Sequence, residues 1–330
     1  MPRTVLPDAR VSPRFAGIAT FGRYPRLDDV APENRPVDWA LFGVPFDGGV
    51  TFRPGARFGP RAIREASQYL KRFHVPFGVD ICERFSLADA GDAPVFPYDL
   101  TATLDQVADF ATSLADDATR LLAVGGDHSI AYANIRAAYL RRGEPAGGLA
   151  LVHVDSHLDT TDQVWGCKWG HASPFRRAIE EGLVNPKRMI SIGIKGPLNA
   201  AADLDFAAQH GVTLVMAEEI AGCGPSGPGL ARIKAFAAGL RSDDANQGGE
   251  CYISFDIDAV DPAFAPGTGT PAPGGLTSAE AFAVLRSLRG IRLAGADVVE
   301  VLPDRDPSGI TTMLASQVLF EIVSLDAAGR

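Results

Sequence analysis

Two histidines and two aspartates lie within seven residues, directly after an apolar run. His153, Asp155, His157 and Asp159 follow the residues Leu-Ala-Leu-Val at positions 149–152. Side chains of an extended chain point the same way at every second residue, so Asp155, His157 and Asp159 share one side if the extended conformation persists. Carboxylates and imidazoles bind divalent metal ions, and the spacing therefore suggests hydrolytic metal chemistry.

Residues of the same kinds follow three other apolar runs. His128 comes shortly after the run LLAV, Asp256 and Asp258 follow the run CYISF, and Glu300 lies in ADVVEV. A single buried histidine or aspartate is usually a hydrogen-bonded core residue. Several of them in one cleft would instead need an offsetting charge, because a buried, unpaired carboxylate is strongly destabilising. Divalent cations would supply that charge.

The number and type of these side chains favour two metal ions over one. Imidazole nitrogens and carboxylate oxygens without a thiolate suit Mn²⁺, Ni²⁺, Zn²⁺ or Fe²⁺. Six ligands are too many for one ion that must also bind water, so we expect two ions about 3.5–4 Å apart that share Asp155 and Asp256. The predicted ligands are His128, Asp155, His157, Asp159, Asp256 and Asp258.

Seven apolar runs alternate with helical segments along the chain. They are WALFGV (39–44), LLAVGG (121–126), LALVHVD (149–155), MISIGI (189–194), VTLVMA (212–217), CYISFDID (251–258) and LAGADVVEV (293–301). Their lack of polar alternation indicates strands covered on both faces, which predicts an α/β fold, a three-layer α/β/α sandwich with a mostly parallel central sheet. Ligands of such sheets bind beyond the carboxyl ends of the strands, where the polar residues lie.

Capping residues predict where two of the intervening helices begin. Thr101 opens the segment TATLDQVADFATSLADDA, and Thr277 opens TSAEAFAVLRSLRG, which Gly290 closes. Both threonines are typical N-cap residues, because their hydroxyl oxygen accepts a hydrogen bond from a free backbone N–H of the first turn.

Length and composition narrow the class of protein. The 330 residues, of which 46% are hydrophobic, allow one large domain, which we place at 36–330 after an extended arm at 1–35. The net charge of −9 argues against nucleic acid or an anionic membrane as the main partner and is compatible with a small cationic substrate. The N-terminus lacks the apolar core of a signal peptide, and no run approaches the ~18 uninterrupted apolar residues of a membrane span, so we expect a cytoplasmic protein.

Three ordered motifs resemble the metal motifs of the ureohydrolase family, which includes arginase, agmatinase and guanidinobutyrase. They are GGDHS (125–129), DSHLD (155–159) and SFDIDAVDP (254–262). The likeness extends over nearly the whole chain, and the segment SPRFAGIATF resembles the agmatinase and guanidinobutyrase branch. It implies an arginase-like fold, two ions with Mn²⁺ favoured and Ni²⁺ used by some relatives, and a homotrimer or homohexamer. One ion would be bound by His128, Asp155, Asp159 and Asp256, and the other by Asp155, His157, Asp256 and Asp258.

The resemblance also implies a reaction and a role for three residues. A guanidino C–N bond of a small guanidine compound would be hydrolysed to urea and an amine. Glu300 would hold the guanidinium, His171 would relay a proton to the departing amine, and Asp159 would accept a hydrogen bond from the nucleophile. The chain departs from the usual family pattern at three positions near these residues, with Ser156 in place of Ala, Ala172 in place of Gly, and Leu302 in place of Asn.

The loop at 160–173 is the predicted source of substrate selectivity. Trp165 and Trp169 would stack on an alkylated guanidine, whereas Lys168 would bind the carboxylate of a guanidino acid. In the other interpretation, the two aromatic residues only pack the loop against the body or a neighbouring subunit. We rank guanidino acids such as 4-guanidinobutanoate ahead of agmatine, with small alkylguanidines close behind.

Two other functions are compatible with the same motifs. One is a non-catalytic subunit that stabilises an active partner, although a complete set of acidic ligands has no purpose there. The other is hydrolysis of an amide or formimidoyl group, as in deacetylase-like chemistry. Urea release distinguishes them, because a deacetylase yields acetate, a formimidoyl hydrolase yields formamide, and a scaffold subunit yields nothing.

Overall fold

A central eight-stranded sheet organises the molecule. The computed structural model describes residues 3–242 and 250–329. The strand order is β4-β1-β5-β10-β9-β6-β7-β8, and every neighbouring pair in this sheet is parallel. A two-stranded antiparallel hairpin, β2-β3, lies outside it. The predicted three-layer fold with a mostly parallel sheet is therefore confirmed.

All seven predicted runs form strands of the central sheet. Within the described ranges the strands are β1 (Trp39–Val44), β2 (Phe73–His74), β3 (Val79–Asp80), β4 (Leu87–Asp92), β5 (Arg120–Gly125), β6 (Leu149–Val154), β7 (Val184–Ile194), β8 (Thr213–Met216), β9 (Glu250–Asp256) and β10 (Arg292–Val299). The prediction missed the edge strand β4, because its sequence LADAGD contains two aspartates and a glycine instead of an uninterrupted apolar run. An edge strand needs less apolar surface than a central one.

Helices cover both faces of the sheet. They are α1 (Gly59–Ala66), α2 (Ile81–Arg84), α3 (Leu100–Ser113), α4 (Ile130–Arg141), α5 (Pro174–Glu180), α6 (Asp205–His210), α7 (Pro228–Ser242), α8 (Ser278–Ser287) and α9 (Ile310–Gly329). Alternate residues of β5 enter two separate cores, with Leu122 and Val124 in one and Leu121 and Ala123 in the other. The first core also holds residues of α1, α7, α8 and α9, and the second holds residues of α3, α4 and α5.

The two predicted helix starts have different outcomes. Thr277 caps α8 as predicted, because its side chain accepts a hydrogen bond from the backbone N–H of Glu280. The prediction for α3 was wrong by two residues: Asp99 is the cap and accepts the hydrogen bond from the N–H of Ala102, while Thr101 already lies inside the helix. Aspartate and threonine both cap helices well, so the sequence alone did not decide between them.

The N-terminal residues pack onto the same body. Residues 3–35 contain three short 3₁₀ helices and no α-helix or strand of the central sheet. Phe21 and Tyr24 are buried in the first core, and the Thr4 hydroxyl binds the carbonyl of Phe85 and the N–H of Leu87. The boundary between an arm and a domain at residue 35 stays a prediction.

Helix α9 is an interior helix of the fold. By length and composition it is apolar enough to cross a membrane, but 83% of its most apolar stretch is buried inside the structure. Its side chains contact both sheet and helices, including Val318 and Ile322 in the first core. A long apolar helix is expected at the centre of a domain of this size.

The fold brings four polar strand ends together. Strands β5, β10, β9 and β6 are consecutive neighbours in the sheet. Because they are parallel, their carboxyl ends lie at one edge, and each end carries one of the predicted groups of polar residues. His128 follows β5, Glu300 follows β10, Asp256 ends β9, and Asp155 follows β6.

Candidate active site

Three carboxylates converge on one histidine nitrogen. Nδ1 of His128 lies 3.0 Å from Oδ2 of Asp155, 2.9 Å from Oδ2 of Asp159 and 3.2 Å from Oδ2 of Asp256. All four side chains are buried. Although these oxygens are close, Nδ1 has no hydrogen-bond partner among the described residues. A buried nitrogen that faces several oxygens without a shared proton is the arrangement of ligands around a cation.

A second group shares Asp155 with the first. Nδ1 of the half-buried His157 lies 3.3 Å from Oδ1 of Asp155 and 3.1 Å from Oδ2 of Asp258. Asp155 therefore presents Oδ2 to the first group and Oδ1 to the second, as a bridging carboxylate would. Oδ2 of Asp256 faces the first group, and its Oδ1 accepts the backbone N–H of Asp258 at 2.8 Å, so the predicted sharing of Asp256 by both ions stays a prediction. The structure brings together all six predicted ligands.

His153 braces the first group. Its Nε2 lies 2.8 Å from Oδ2 of Asp155, and its Nδ1 lies 3.1 Å from the hydroxyl of Ser191. It is close enough to His128, Asp155 and Asp159 to belong to the same cluster of possible ligands. Because both ring nitrogens already have polar partners, we assign His153 to orienting Asp155 rather than to the core alone.

Ser156, one of the departures from the family pattern, contacts a proposed ligand. Its hydroxyl donates a 2.6 Å hydrogen bond to Oδ1 of Asp258, and its backbone N–H donates a second one of 3.1 Å to the same oxygen. Thr270 reaches the other oxygen, Oδ2, at 3.2 Å. The serine therefore helps to fix the orientation of Asp258 beside His157.

A buried hydrogen-bond chain fixes the tautomer of His128. Ser254 donates a 2.6 Å hydrogen bond to Oδ1 of Asp297, so its oxygen accepts the proton of Nε2 of His128 at 2.9 Å. With the ring proton on Nε2, the lone pair of Nδ1 faces the three carboxylates. Tyr252 donates to the other oxygen of Asp297 at 2.9 Å. This chain was missed by the sequence analysis, and its only signal was an aspartate inside a buried apolar strand.

The electrostatics of the cluster favour a bound cation. Burial, followed by the charges of Asp258 and Asp155, raises the pKa of Asp256 well above its usual range. Carboxylates in such a cluster stay ionised at neutral pH only when positive charge is present. Together with the unpartnered Nδ1 of His128 and the set of oxygen and nitrogen donors, this indicates that the residues fit divalent metal ions.

His171 and Glu300 form a pair beside the cluster. Nδ1 of His171 donates to Oε1 of Glu300 at 2.9 Å, and the backbone N–H of His128 donates to the same oxygen at 3.0 Å. Oε2 of Glu300 is buried and has no partner in the described part of the chain. The apolar Leu302, which replaces the family's usual Asn, provides no donor for it. An unpaired buried carboxylate oxygen is a strong acceptor for a cationic ligand.

Thr51 determines which nitrogen of His171 carries the proton. Its backbone N–H donates to Nε2 at 2.9 Å, and its hydroxyl lies 2.7 Å from the same atom. Burial lowers the pKa of His171, but the hydrogen bond to Glu300 and the charges of Glu300 and Asp159 outweigh burial and raise the pKa to about 9. The Thr51 N–H opposes that rise, because a proton on Nε2 would face it.

Two residues of the site have left-handed backbone conformations. Asp159 has φ of 50° and Glu300 has φ of 64°, which non-glycine residues seldom adopt. Each is held by a backbone hydrogen bond: the carbonyl of Asp159 accepts from Phe175 at 3.3 Å, and the N–H of Glu300 donates to Gly126 at 2.9 Å. Strain of this kind is typical of functional positions.

A cavity opens onto both groups of ligands. It has a volume of about 450 Å³, and its wall includes His157, Asp159, Asp256 and His171. Arg176 is also in this wall, although the sequence analysis did not single it out. Its only signal was its position five residues after His171. Glu300 is buried and is not among the described residues that line this cavity.

The predicted substrate loop at 160–173 contributes Thr161 and Val164 to the wall of this cavity, but its two tryptophans and Lys168 lie elsewhere. Trp165 is 80% exposed, Lys168 is exposed, and Trp169 packs edge-on against Tyr132 with ring centroids 4.7 Å apart. Both tryptophans line a neighbouring cavity of about 320 Å³, which shares Thr51 with the first. Among the described residues that line the cavity over the metal ligands, these two tryptophans and Lys168 are absent. Their predicted contact with substrate remains a prediction.

A parallel sheet with overlapping histidine and carboxylate groups under one cavity is the architecture of a metal-dependent hydrolase. The Arginase family model matches residues 37–324. The chain therefore belongs to the arginase family, and the resemblance to ureohydrolases is confirmed. Members of this family are metal-dependent hydrolases of guanidino compounds, and the histidine and aspartate cluster of this chain is suited to that activity.

Individual relatives are similar over nearly their whole length. The chain is 41% identical to guanidinopropionase of Pseudomonas aeruginosa over 319 residues, which cover 96% of this chain and 94% of the relative. It is 40% identical to proclavaminate amidinohydrolase of Streptomyces clavuligerus over 316 residues, which cover 96% and 95%. A solved structure of the latter matches with a TM-score of 0.83 at 39% identity, covering 97% of this chain and 100% of that one. Guanidinobutyrase of Pseudomonas aeruginosa is 36% identical over 313 residues, covering 94% and 93%.

Proposed function

We propose that this protein hydrolyses a guanidino acid to urea and an amino acid. The observation that carries the proposal is the cavity of about 450 Å³, because ligands of both groups and His171 face the same space. That space suits a small molecule. The names of guanidinopropionase and guanidinobutyrase support a substrate with a guanidinium at one end and a carboxylate at the other. Agmatine and small alkylguanidines rank behind.

The six side chains that converge below the cavity are the proposed ligands of two divalent ions, with Mn²⁺ as the first choice and Ni²⁺ as the second. This choice rests on the mixture of carboxylate oxygens and imidazole nitrogens. When bound, the ions supply the chemistry of a water nucleophile that is available near neutral pH. The ligands are His128, Asp155, His157, Asp159, Asp256 and Asp258.

Three residues of this chain orient the reactants and move protons. Oε2 of Glu300 accepts N–H groups of the guanidinium, which satisfies an oxygen that otherwise lacks a partner. Asp159, in the cavity wall, accepts a hydrogen bond from the attacking water. His171, whose pKa is raised to about 9, is an imidazolium near neutral pH and lies in the same wall; it delivers its second proton to the departing amine and becomes the neutral ring with one proton on Nδ1 towards Glu300.

We also infer a homotrimer or homohexamer in the cytoplasm, as the resemblance and the sequence composition suggested. Val11, Phe15 and Ile18 support an association surface, because they are 82%, 94% and 90% exposed in the single chain. Light scattering of the purified protein measures the size of the oligomer directly.

The reaction is tested by urea release. Metal-free protein reloaded separately with Mn²⁺ and Ni²⁺ is offered 4-guanidinobutanoate, 3-guanidinopropanoate, agmatine, arginine, guanidine and alkylguanidines. Urea from a guanidino acid in preference to the others supports the proposal. No urea from any compound, with metal bound, contradicts it, and acetate or formamide release from the corresponding substrates would then indicate one of the alternative hydrolase activities.

A further inference from the structure

The cavity wall contains one permanently cationic side chain. Beyond the metal ligands and His171, the charged side chains in the wall are Asp162, Arg176 and Asp203. Arg176 is the one arginine or lysine in the part of this wall that the structure describes. A substrate carboxylate in this cavity would therefore find its strongest partner at Arg176.

Arg176 is fixed close to the metal ligands through its neighbour in the chain. Arg176 and its neighbour Phe175 both lie in the first turn of α5 (Pro174–Glu180). Phe175 packs edge-on against the ring of His128 at 5.1 Å, and its backbone N–H donates to the carbonyl of Asp159 at 3.3 Å. Consecutive Cα atoms are about 3.8 Å apart, so these contacts also set the position of the Arg176 backbone.

The terminal groups of the Arg176 guanidinium are free to bind a ligand. Its hydrogen bond is made by Nε, to Glu180 at 2.9 Å, and Nε is also the atom nearest to Asp162, at 3.4 Å. Nη1 and Nη2 make no hydrogen bond with any residue that the structure describes. The guanidinium carbon lies 4.7 Å from the centroid of the Phe206 ring, which also lines the cavity. The guanidinium is thus held on one side with its two outer donors unused.

The two acids near Arg176 are shared with a second arginine. Nη2 of Arg177 lies 2.7 Å from Asp162, and Nη1 lies 3.3 Å from Glu180. Two arginines therefore balance two carboxylates, and neither acid cancels the charge of Arg176 alone. Asp203 is the remaining acid in the wall, and a cationic substrate tail would be attracted to it instead.

We propose that Arg176 binds the carboxylate of a guanidino acid through Nη1 and Nη2 and so selects guanidino acids over agmatine. The inference rests on the proposed function and assigns the residue that binds the substrate tail, the end of the substrate opposite the guanidinium. The paired donors match the two oxygens of a carboxylate, whereas the ammonium of agmatine would be repelled. Arg176 takes the role that the sequence had suggested for Lys168.

The test compares substrates that differ only in the tail. Urea release is measured for 4-guanidinobutanoate, agmatine and butylguanidine with the metal-loaded wild type, Arg176→Gln, Arg176→Lys and the matched control Asp203→Asn. We expect Arg176→Gln to raise KM for 4-guanidinobutanoate about 10- to 100-fold, as for loss of a hydrogen bond between charged groups, with a much smaller change in kcat. Arg176→Lys should recover part of the loss, because lysine keeps the charge without the paired donors. For butylguanidine, which has no charged tail, the change in KM in Arg176→Gln should be much smaller than for 4-guanidinobutanoate.

Each contrary result overturns a different statement. If the wild type hydrolyses 4-guanidinobutanoate and Arg176→Gln leaves its KM unchanged, the inference is wrong and the proposed function stands. An equal rise in KM for butylguanidine would mean general damage to the cavity and would also refute a tail-specific role. If the wild type prefers agmatine and only Asp203→Asn slows urea release from agmatine, then Asp203 binds the substrate tail and the inference about Arg176 is wrong. If the metal-loaded wild type releases no urea at all, the proposed function itself fails.

Discussion

Asp297 is connected to the candidate metal site through Ser254 and does not line the described cavity. Its carboxylate accepts hydrogen bonds from Ser254 and Tyr252, and Ser254 in turn accepts the Nε2 proton of His128. The carboxylate can accept both hydroxyl protons at once, whereas an amide oxygen and amide N–H₂ cannot. The tautomer that directs Nδ1 of His128 towards the metal position therefore depends on the charge of Asp297.

We predict that Asp297→Asn weakens metal binding about tenfold, at the lower end of the range for residues that brace a metal ligand. Tyr252→Phe is the control, because it removes one hydrogen bond and keeps the carboxylate. The measurement is the dissociation constant for Mn²⁺ from competition with a chelator. An unchanged constant for Asp297→Asn would show that the chain from His128 to Asp297 does not influence the ion.

Among single residues, the members of the histidine and carboxylate cluster could be predicted, whereas the residues that orient them could not. A histidine or aspartate just after an apolar strand is out of place in a core, so His128, Asp155 and Asp256 stood out. Ser254, Thr51 and Arg176 did not, because such polar residues have many ordinary structural uses. Their importance comes from contacts between distant parts of the chain, such as Thr51 with His171, which a single sequence does not display.

At the scale of elements, Glu321 connects two helices and a short strand. The carboxylate on α9 lies 3.0 Å from Nε2 of His74 on β2 and 3.0 Å from Nε of Arg286 on α8. The side chains of Glu321 and His74 are each 1% exposed. Burial raises the pKa of Glu321, but the hydrogen bonds from His74 and Arg286 outweigh it and lower the pKa below the ordinary value of 4.5.

We predict that Glu321→Ala lowers the free energy of unfolding by about 3 kcal/mol, the lower end of the range for a broken buried ion pair, since Arg286 still reaches water. A carboxylate with a lowered pKa stabilises the fold above its unfolded pKa, and this contribution is lost as the pH falls through the folded pKa. The difference between variant and wild type should therefore be full at pH 7 and shrink below about pH 4.

Urea unfolding at both pH values measures this difference. The control is Asp105→Ala, which breaks an exposed pair with Arg136 of 3.1 Å and should cost less than about 0.5 kcal/mol. Equal losses for the two variants at pH 7 would contradict a structural role for the buried pair.

The central strands could be predicted because burial on both faces leaves an uninterrupted apolar run. The edge strand β4 and the hairpin β2-β3 lack that pattern. Their position depends on contacts with distant parts of the chain, β4 with β1 and the hairpin with α9, which the local sequence does not show. The cap of α3 was predicted at Thr101 rather than Asp99 for a related reason: several residues in that segment are able to cap, and packing of the helix decides among them.

At the scale of the whole molecule, metal binding and folding are linked. The proposed ligands lie at three separate strand ends, those of β5, β6 and β9, so the unfolded chain does not hold them together. A ligand that binds only the folded state stabilises it by about 2.7 kcal/mol per independent site at 100 times its Kd. Relief of repulsion among the buried carboxylates acts in the same direction.

We therefore predict that removing metal with a chelator lowers Tm by about 5 °C or more, and that Mn²⁺ restores it. Scanning calorimetry at several Mn²⁺ concentrations measures the effect. An Asp155→Asn variant, which alters the carboxylate shared by both groups, should lose most of the dependence on metal. A wild-type Tm independent of metal would contradict the assignment of the cluster as a metal site.

The fold class could be predicted because the alternation of strands and helices continues over most of the chain. The position of the N-terminal residues could not, because Phe21 and Tyr24 lie in a segment without periodic pattern. Their burial depends on the surface that α1 and the neighbouring strands present. Substrate selectivity was the least predictable property, since it depends on which side chains of several loops and helices line one cavity.

The three tryptophans occupy distinct environments, which makes the protein its own fluorescent reporter. Trp39 is fully buried and its indole N–H donates a hydrogen bond to Asp326, Trp169 is half-buried, and Trp165 is 80% exposed. Acrylamide should thus quench chiefly the red-shifted emission of Trp165, and Trp165→Phe should abolish most of that quenching. If the loop closes over a bound guanidino acid, substrate will protect Trp165 from the quencher. Equal quenching with and without substrate would mean that Trp165 stays in solvent throughout the reaction.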